Sequence, residues 1–287
     1  MTYNLAQWLK NNKTLLVNAG SLIGSTGVTS LLGFAYWWYA ARQNSPEVVG
    51  LASAAISAMT LLGAFSIMGL GTLLMGELPN QKGKEGSLIS AALILVGMVG
   101  GILGLGYALI ASHLSSDLQE IGANFSSVVL FAVGVSLTSI SLVFDQATIG
   151  LLRGELQLWR NTLFTVIKLV ALFCADLWLA HVTGMTIYVT LIIGNLLSLL
   201  VLLFLPLAKR AKLPRSYMPE WKLLRQLGPA ALKHHMLNIT LQAPSLILPI
   251  MVTIILSPTI NAWFYVAWNL SSIANTISVV LASTLYA

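Results

Sequence analysis

Apolar and polar positions fall into long blocks along this chain. Between Lys13 and Arg42, and again between Glu47 and Glu77, there is no Asp, Glu, Lys or Arg. Each block exceeds the roughly 20 residues with which a helix crosses the hydrocarbon core of a bilayer. The turn Arg42-Gln43-Asn44-Ser45-Pro46-Glu47 joins them, so the pattern predicts a transmembrane hairpin. Tyr36-Trp37-Trp38-Tyr39 sits at its tip, where aromatic residues mark the headgroup level.

The same reading along the rest of the chain predicts spans at about 14–41, 48–76, 87–112, 125–150, 161–180, 185–208, 230–256 and 259–285. Ser257-Pro258 again joins two apolar runs. Setting it over Ser45-Pro46 places Ala262 over Gly50, Ala267 over Ala55 and Ser272 over Thr60. A weak internal match of this kind is what the repeats of transporters leave in a sequence. The expected fold is an all-α polytopic membrane protein of about eight transmembrane helices. A complete six-helix N-terminal lobe fills 1–208, a basic cytoplasmic linker 209–228, and the start of a second, repeat-related lobe 229–287. A second lobe of two helices is expected to be part of a longer chain or a truncated product.

Composition removes the soluble alternative. Of 287 residues, 57% are hydrophobic and 8% charged, whereas a soluble surface needs roughly a quarter or more charged residues. The net charge of +6 is explained by where it lies. Lys10, Lys13, Lys82, Lys84, Arg153, Arg160, Lys209, Arg210, Lys212, Arg215, Lys222 and Arg225 fall in connections on the N-terminal side, against Arg42 alone on the other. That asymmetry predicts a cytoplasmic N-terminus and leaves no need for a nucleic-acid partner. The apolar run after Lys13 is too long for a signal peptide. Cys174 is the one cysteine, so no disulfide framework or thiol metal site is expected.

In the linker, Pro219-Glu220-Trp221-Lys222-Leu223-Leu224-Arg225-Gln226-Leu227 places Trp221, Leu224 and Leu227 on one helical face. A basic amphipathic helix lying on the anionic inner leaflet is the expectation, with a plain positive-inside anchor as the bland alternative.

Polar residues inside the spans are the candidates for chemistry. Thr138, Ser141, Asp145 and Thr148 form one stripe, and Asn161, Thr165, Lys168 and Asp176 share a broad face of the next helix. Antiparallel packing would bring Asp145 and Lys168 to similar depth as an ion pair, lining a pathway or tying two helices together. Asp176, beside Trp178, reads as interfacial. Asn18, Ser21, Ser25 and Thr29 mark one face of the first span, and Ser53, Ser57 and Thr60 one face of the second; both suit close packing or a cavity wall. Gly97, Gly100, Gly101 and Gly104 read as a packing seam. Pro244 and Pro249 interrupt the seventh span near Asn238, Thr240, Gln242 and Ser245, and are candidate hinges or packing kinks. Lys233 and the adjacent His234 and His235 mark its cytoplasmic entrance.

Motifs for nucleophilic, phosphate-binding or zinc chemistry are absent from the sequence. Neither an enzyme nor a cofactor is expected.

The runs Asn18-Ala19-Gly20-Ser21-Leu22, Gly33-Phe34, Ala40-Ala41-Arg42, Ser45-Pro46-Glu47-Val48-Val49-Gly50-Leu51-Ala52-Ser53, Gly69-Leu70-Gly71-Thr72 and Leu78-Pro79 resemble the opening of bacterial polysaccharide-export and O-antigen flippase proteins. These belong to the multidrug/oligosaccharidyl-lipid/polysaccharide exporter superfamily. Leu227-Gly228-Pro229 and Ser257-Pro258 are similar to the start of that family's second lobe. The resemblance implies a two-lobed transporter of twelve to fourteen helices in the cytoplasmic membrane, moving a lipid-linked saccharide by alternating access. Anionic membrane lipids are the partners expected of the basic linker, and membrane proteins of glycan synthesis those of a scaffold. Asp145, Lys168, Asn18, Lys233, Arg42 and Gln242 would then be the cavity or coupling candidates. Lys168, Lys233 and Arg42 would be the cations to meet a phosphate. Two other readings remain: a cation-coupled small-molecule efflux protein with Asp145 as coupling acid, and a non-transporting scaffold for glycan enzymes.

Overall fold

The computed structural model describes residues 13–81, 83–114, 118–204, 218–219 and 221–271. Within them the chain forms helices α1 (Lys13–Gln43), α2 (Pro46–Ser66), α3 (Leu70–Glu77), α4 (Glu85–Leu114), α5 (Gln119–Gly122), α6 (Phe125–Gly150), α7 (Gly154–Trp178), α8 (Gly184–Phe204), α9 (Trp221–Ile255) and α10 (258–271). No strand occurs among the described residues.

Local chemistry sets the helix starts. Ser45 accepts a hydrogen bond from Val48 N at 3.4 Å, with Pro46 in the first turn of α2. Ser257 does the same for Ile260 N at 3.1 Å at the start of α10. The two sites matched in sequence are therefore built by the same cap.

Five helices among the described residues are long and apolar enough to cross a membrane: α2, Glu85–Ala111 of α4, α6, α7, and Gly184–Leu202 of α8. In α9 the apolar segment is the shorter Ala243–Ile255. Helix α1 has the length, with 31 residues, but Asn18, Ser21, Ser25, Thr26, Thr29 and Ser30 make it more polar than those five. Most of the expected span 259–285 lies outside the described residues, as does the basic segment 205–217.

Small residues make α2 the central helix. Gly50, Ala52, Ser53, Ala54, Ala55, Ser57, Ala58, Gly63 and Ala64 are all buried, and small side chains let neighbouring backbones approach closely. Around it stand α6, α8, α4 and α9, while α1 packs along α7 and α7 along α8. The predicted α1–α2 hairpin is thus joined by its turn but opened out. Each partner finds its main contacts elsewhere.

The glycines of α4 do form a seam. A β-carbon on Gly97, Gly100 or Gly104 would press on Ile140, Ser139 or Ala132 of α6, whereas Gly101 faces open space.

Four expectations need correction. Tyr36 and Trp37 are interior, at 0% and 6% exposure, and in that aromatic run only Trp38 is widely exposed. The tyrosine hydroxyl has found buried partners, so the aromatic tip is part of the core rather than a headgroup belt. The predicted second span is broken: α2 stops at Ser66, Met68 (φ 48) and Gly69 (φ 74) are left-handed, and α3 starts afresh. Conversely, α9 runs without a break through Pro244 and Pro249. Finally, Trp221 to Leu227 is no separate surface helix but the first turns of α9, with Leu224 buried against Leu70, Leu73 and Leu74 of α3.

Candidate functional site

The polar residues singled out in the first, fourth and fifth spans meet where α1, α6, α7 and α8 come together. Helix α6 ends in a tight turn, with Leu152 at φ 53 and Arg153 N donating to Thr148 O at 2.8 Å. This return sets α7 off close to α1. Asn18 Oδ1 accepts from Gly154 N at 2.6 Å, satisfying one of the free N–H groups at the start of α7. A β-carbon on Gly154 would lie 2.7 Å from the Asn18 carbonyl, so only glycine fits.

One turn and a half further on, Arg160 is buried at 5% exposure. Its Nη2 donates to Asp145 Oδ2 at 2.8 Å and also to Asn161 Oδ1; Nη1 reaches Asn195 Oδ1 at 3.4 Å. Asn195 Oδ1 also accepts from Ser141 Oγ at 3.1 Å, and Asn161 Nδ2 donates to Ser25 Oγ at 3.0 Å. One guanidinium therefore ties α6, α7 and α8 together and reaches α1 through Asn161. Asp145 Oδ1 and Arg160 Nε have no hydrogen-bond partner.

This changes the predicted pairing. Asp145 pairs with Arg160, not with Lys168. Sequence spacing placed Arg160 in a loop, whereas α7 starts seven residues before the predicted span and carries it into the bundle. The planar fork of an arginine suits one carboxylate and two amide oxygens as a lysine does not.

Lys168 lies two turns deeper, at 8% exposure. Its Nζ stands 4.7 Å from the centre of the Tyr36 ring and 4.8 Å from that of Phe164. Tyr36 is fixed by its hydroxyl, 3.1 Å from Ile187 O and 2.8 Å from Thr190 Oγ1. Among the described residues no carboxylate pairs with Lys168. It sits between α1, α7 and α8, with Gly194 of α8 against its Cβ. Asp176, expected at an interface, has a buried Oδ2 without a partner.

The second hairpin meets α2 at both ends. Asn261 Nδ2 donates to Ser53 Oγ at 2.8 Å and to Gly50 O at 3.1 Å. A β-carbon on Gly50 would overlap the Pro258 carbonyl, and one on Gly69 the Ala231 carbonyl. Trp37 of α1 packs edge-on against Tyr265 of α10 at 4.6 Å. Where α2 breaks, a cavity of about 140 Å³ is lined by Thr72, Gln146, His235 and Ile239. His235 is buried at 5% exposure and hydrogen-bonds the backbone of Phe65. The predicted interfacial histidine is interior because the end of α2 leaves a carbonyl for it.

The remaining candidates are spread out. Arg42 is exposed at the end of α1, its guanidinium 5.6 Å from the centre of the Trp38 ring. Pro244 is exposed and Pro249 buried, with Thr253 Oγ1 donating to the Pro249 carbonyl at 3.0 Å. The side chains of Lys233 and Gln242 lie outside the described residues. Among the candidates, therefore, Asp145 belongs to the Arg160 network, Asn18 caps the start of α7 separately, and Lys168 lies beyond both. The site residues that spacing missed are Arg160, Asn195 and Asn261. Asn195 was visible as the one asparagine of its span, whereas Asn261 shares its span with Asn269 and Asn275.

With this geometry in view, the chain was compared with known proteins. The family of polysaccharide biosynthesis proteins matches residues 15–286. The chain belongs to that family. No curated protein and no solved structure gives a significant match. Together with its apolar helices, membership makes this polysaccharide biosynthesis protein a multi-pass membrane protein. The match extends over α9 and α10, so the second hairpin belongs to the family as much as the first.

Proposed function

We propose that this chain is an exporter, or flippase, that moves a lipid-linked oligosaccharide or polysaccharide precursor across the bacterial cytoplasmic membrane by alternating access. About eight spans, a cytoplasmic N-terminus and the division into a six-helix lobe, a linker and a second lobe belong to this reading. Its main support is the family match over residues 15–286 joined to one feature of the packing. The second hairpin is docked on α2, while α1, the most polar long helix of the first lobe, packs mainly along α7. The polar side of α1, with Asn18 and Ser25, is turned towards α7, while Gly20 and Gly27 lie uncovered beside the exposed Ile23 and Leu31.

The second hairpin holds the first lobe at Asn261 and Trp37 at one end of α2, and at Gly69 and His235 at the other. Disrupting the gene should make a lipid-linked saccharide accumulate on the cytoplasmic face and deplete the surface glycan. Unchanged surface glycan without accumulation would count against the proposal.

The efflux reading, with Asp145 as coupling acid, is disfavoured because that carboxylate is held by Arg160. The scaffold reading predicts that a transport-dead variant still captures glycan-synthesis enzymes.

A further inference from the structure

An apolar groove lies where α9 begins. Met68 and Leu70 at the α2–α3 break, Leu95 of α4, and Trp221, Leu224, Arg225 and Gly228 of α9 line it, and its volume is about 380 Å³. At about 30 Å³ for a group the size of a water molecule, it has room for roughly a dozen chain carbons. Leu70 and Leu224 form its floor, at 3% and 5% exposure. Gly228 has nothing within contact of its missing side chain. None of its lining residues belongs to the polar network around Arg160.

Charge is gathered at its rim. Arg225 lines it and is exposed, Lys222 is exposed one turn away, and Trp221 is 45% exposed beside them. Helix α9 has 35 residues and is therefore roughly 50 Å long, well beyond the roughly 30 Å of hydrocarbon. Its first turns consequently lie at headgroup depth, where tryptophan and basic side chains are at home. An apolar slot with cations and an indole at its mouth matches a molecule with an anionic head and an alkyl tail.

We propose that this groove is a binding site for an anionic phospholipid of the inner leaflet, with one acyl chain between Leu95 and Leu224 and the phosphate on Arg225 and Lys222. The proposal rests on the membrane location of the chain and not on its cargo. The bound lipid would wedge α9 against the α2–α3 break, joining the second hairpin to the first lobe at the end opposite Asn261.

The test uses the full chain purified in detergent and titrated with phosphatidylglycerol or phosphatidylcholine carrying brominated acyl chains. Bound lipid is counted by native mass spectrometry, and tryptophan quenching locates it. Phosphatidylglycerol should bind and quench the emission that Trp221→Phe removes. Arg225→Gln should weaken binding roughly fivefold, the loss of one basic contact to an anionic lipid. Gly228→Phe should fill the groove and abolish quenching with the charges left in place. Equal retention of phosphatidylcholine, or unchanged binding in Arg225→Gln, overturns the proposal. So does displacement of phosphatidylglycerol by a polyprenyl phosphate, which would assign the groove to the tail of a substrate. Because the readout is lipid bound to the resting protein, it stands or falls separately from transport.

Discussion

The ammonium group of Lys168 lies 4.7 Å from the centre of the Tyr36 ring, without a carboxylate partner among the described residues. A buried cation held only by π faces and small dipoles is costly. Replacing it by an apolar residue of similar shape should therefore do little harm to stability. Lys168→Met is expected to unfold at the same temperature or higher, with a gain of up to about 1 kcal/mol, and Tyr36→Ala to lose about 3–5 kcal/mol. Thermal unfolding in detergent reads both. If Lys168→Met is as damaging as Tyr36→Ala, the lysine has a partner this packing does not account for.

Arg160 and Asp145 should behave in the opposite way. Removing one partner of a buried pair leaves the other uncompensated, at about 3–5 kcal/mol. Asp145→Ala and Arg160→Met should each cost that much, while the double variant should cost clearly less than their sum. A double-mutant cycle on unfolding free energies measures the coupling. Additive losses would mean that the two side chains are independent.

At Gly50 the limit is steric. A side chain there meets the Pro258 backbone, so Gly50→Val should push the second hairpin off α2. The expected result is easier proteolysis between α8 and α9 and, on the proposed function, loss of surface glycan. Asn261→Leu removes only the bonds to Ser53 and Gly50. It should leave the fold intact and favour opening at that end. On the alternating-access proposal, cysteine crosslinking between positions 53 and 261 should be efficient in this packing and lost when that end opens.

The break between α2 and α3 offers a matched pair. Met68 holds φ 48 and Gly69 φ 74. A left-handed conformation costs a residue with a β-carbon roughly 1–2 kcal/mol, so Met68→Gly should be neutral or stabilising by up to about 1 kcal/mol. Gly69→Ala should destabilise by more than that strain alone, because its methyl also meets Ala231. Equal melting temperatures for the two variants would mean that the break is not held as described.

Much of this architecture was legible from periodicity and charge. The runs now found as α4, α6, α7 and α8 are uninterrupted over most of their length, so lipid-scale length alone announced them. The glycines of α4 were readable because spacing along a helix fixes which residues share a face. What spacing does not report is which helix supplies the partner. Arg160 was misplaced because the α6–α7 turn takes three residues rather than a loop, and only the left-handed Leu152 makes that possible. Pro244 and Pro249 suggested a break, yet neighbouring helices sustain α9 through them. The real break at Met68 and Gly69 was hidden in an apolar run whose hydropathy does not change there. For the polar site, Asn18 and Asp145 stood out by type, whereas Asn195 and Asn261 gain importance only from partners many residues away.

The bare strips of backbone at Gly50 and Gly69 have a consequence for how the protein is made. Both are covered by segments synthesised well after α8, so α1 to α8 leave the ribosome with their central helix still uncovered along one side. Until the second hairpin is inserted, that side holds small residues and the hydroxyls of Ser53 and Ser57, poor company for lipid chains. The newborn first lobe is thus the natural client of a membrane insertase or chaperone, and a chain arrested before Pro258 is the natural substrate of a membrane protease.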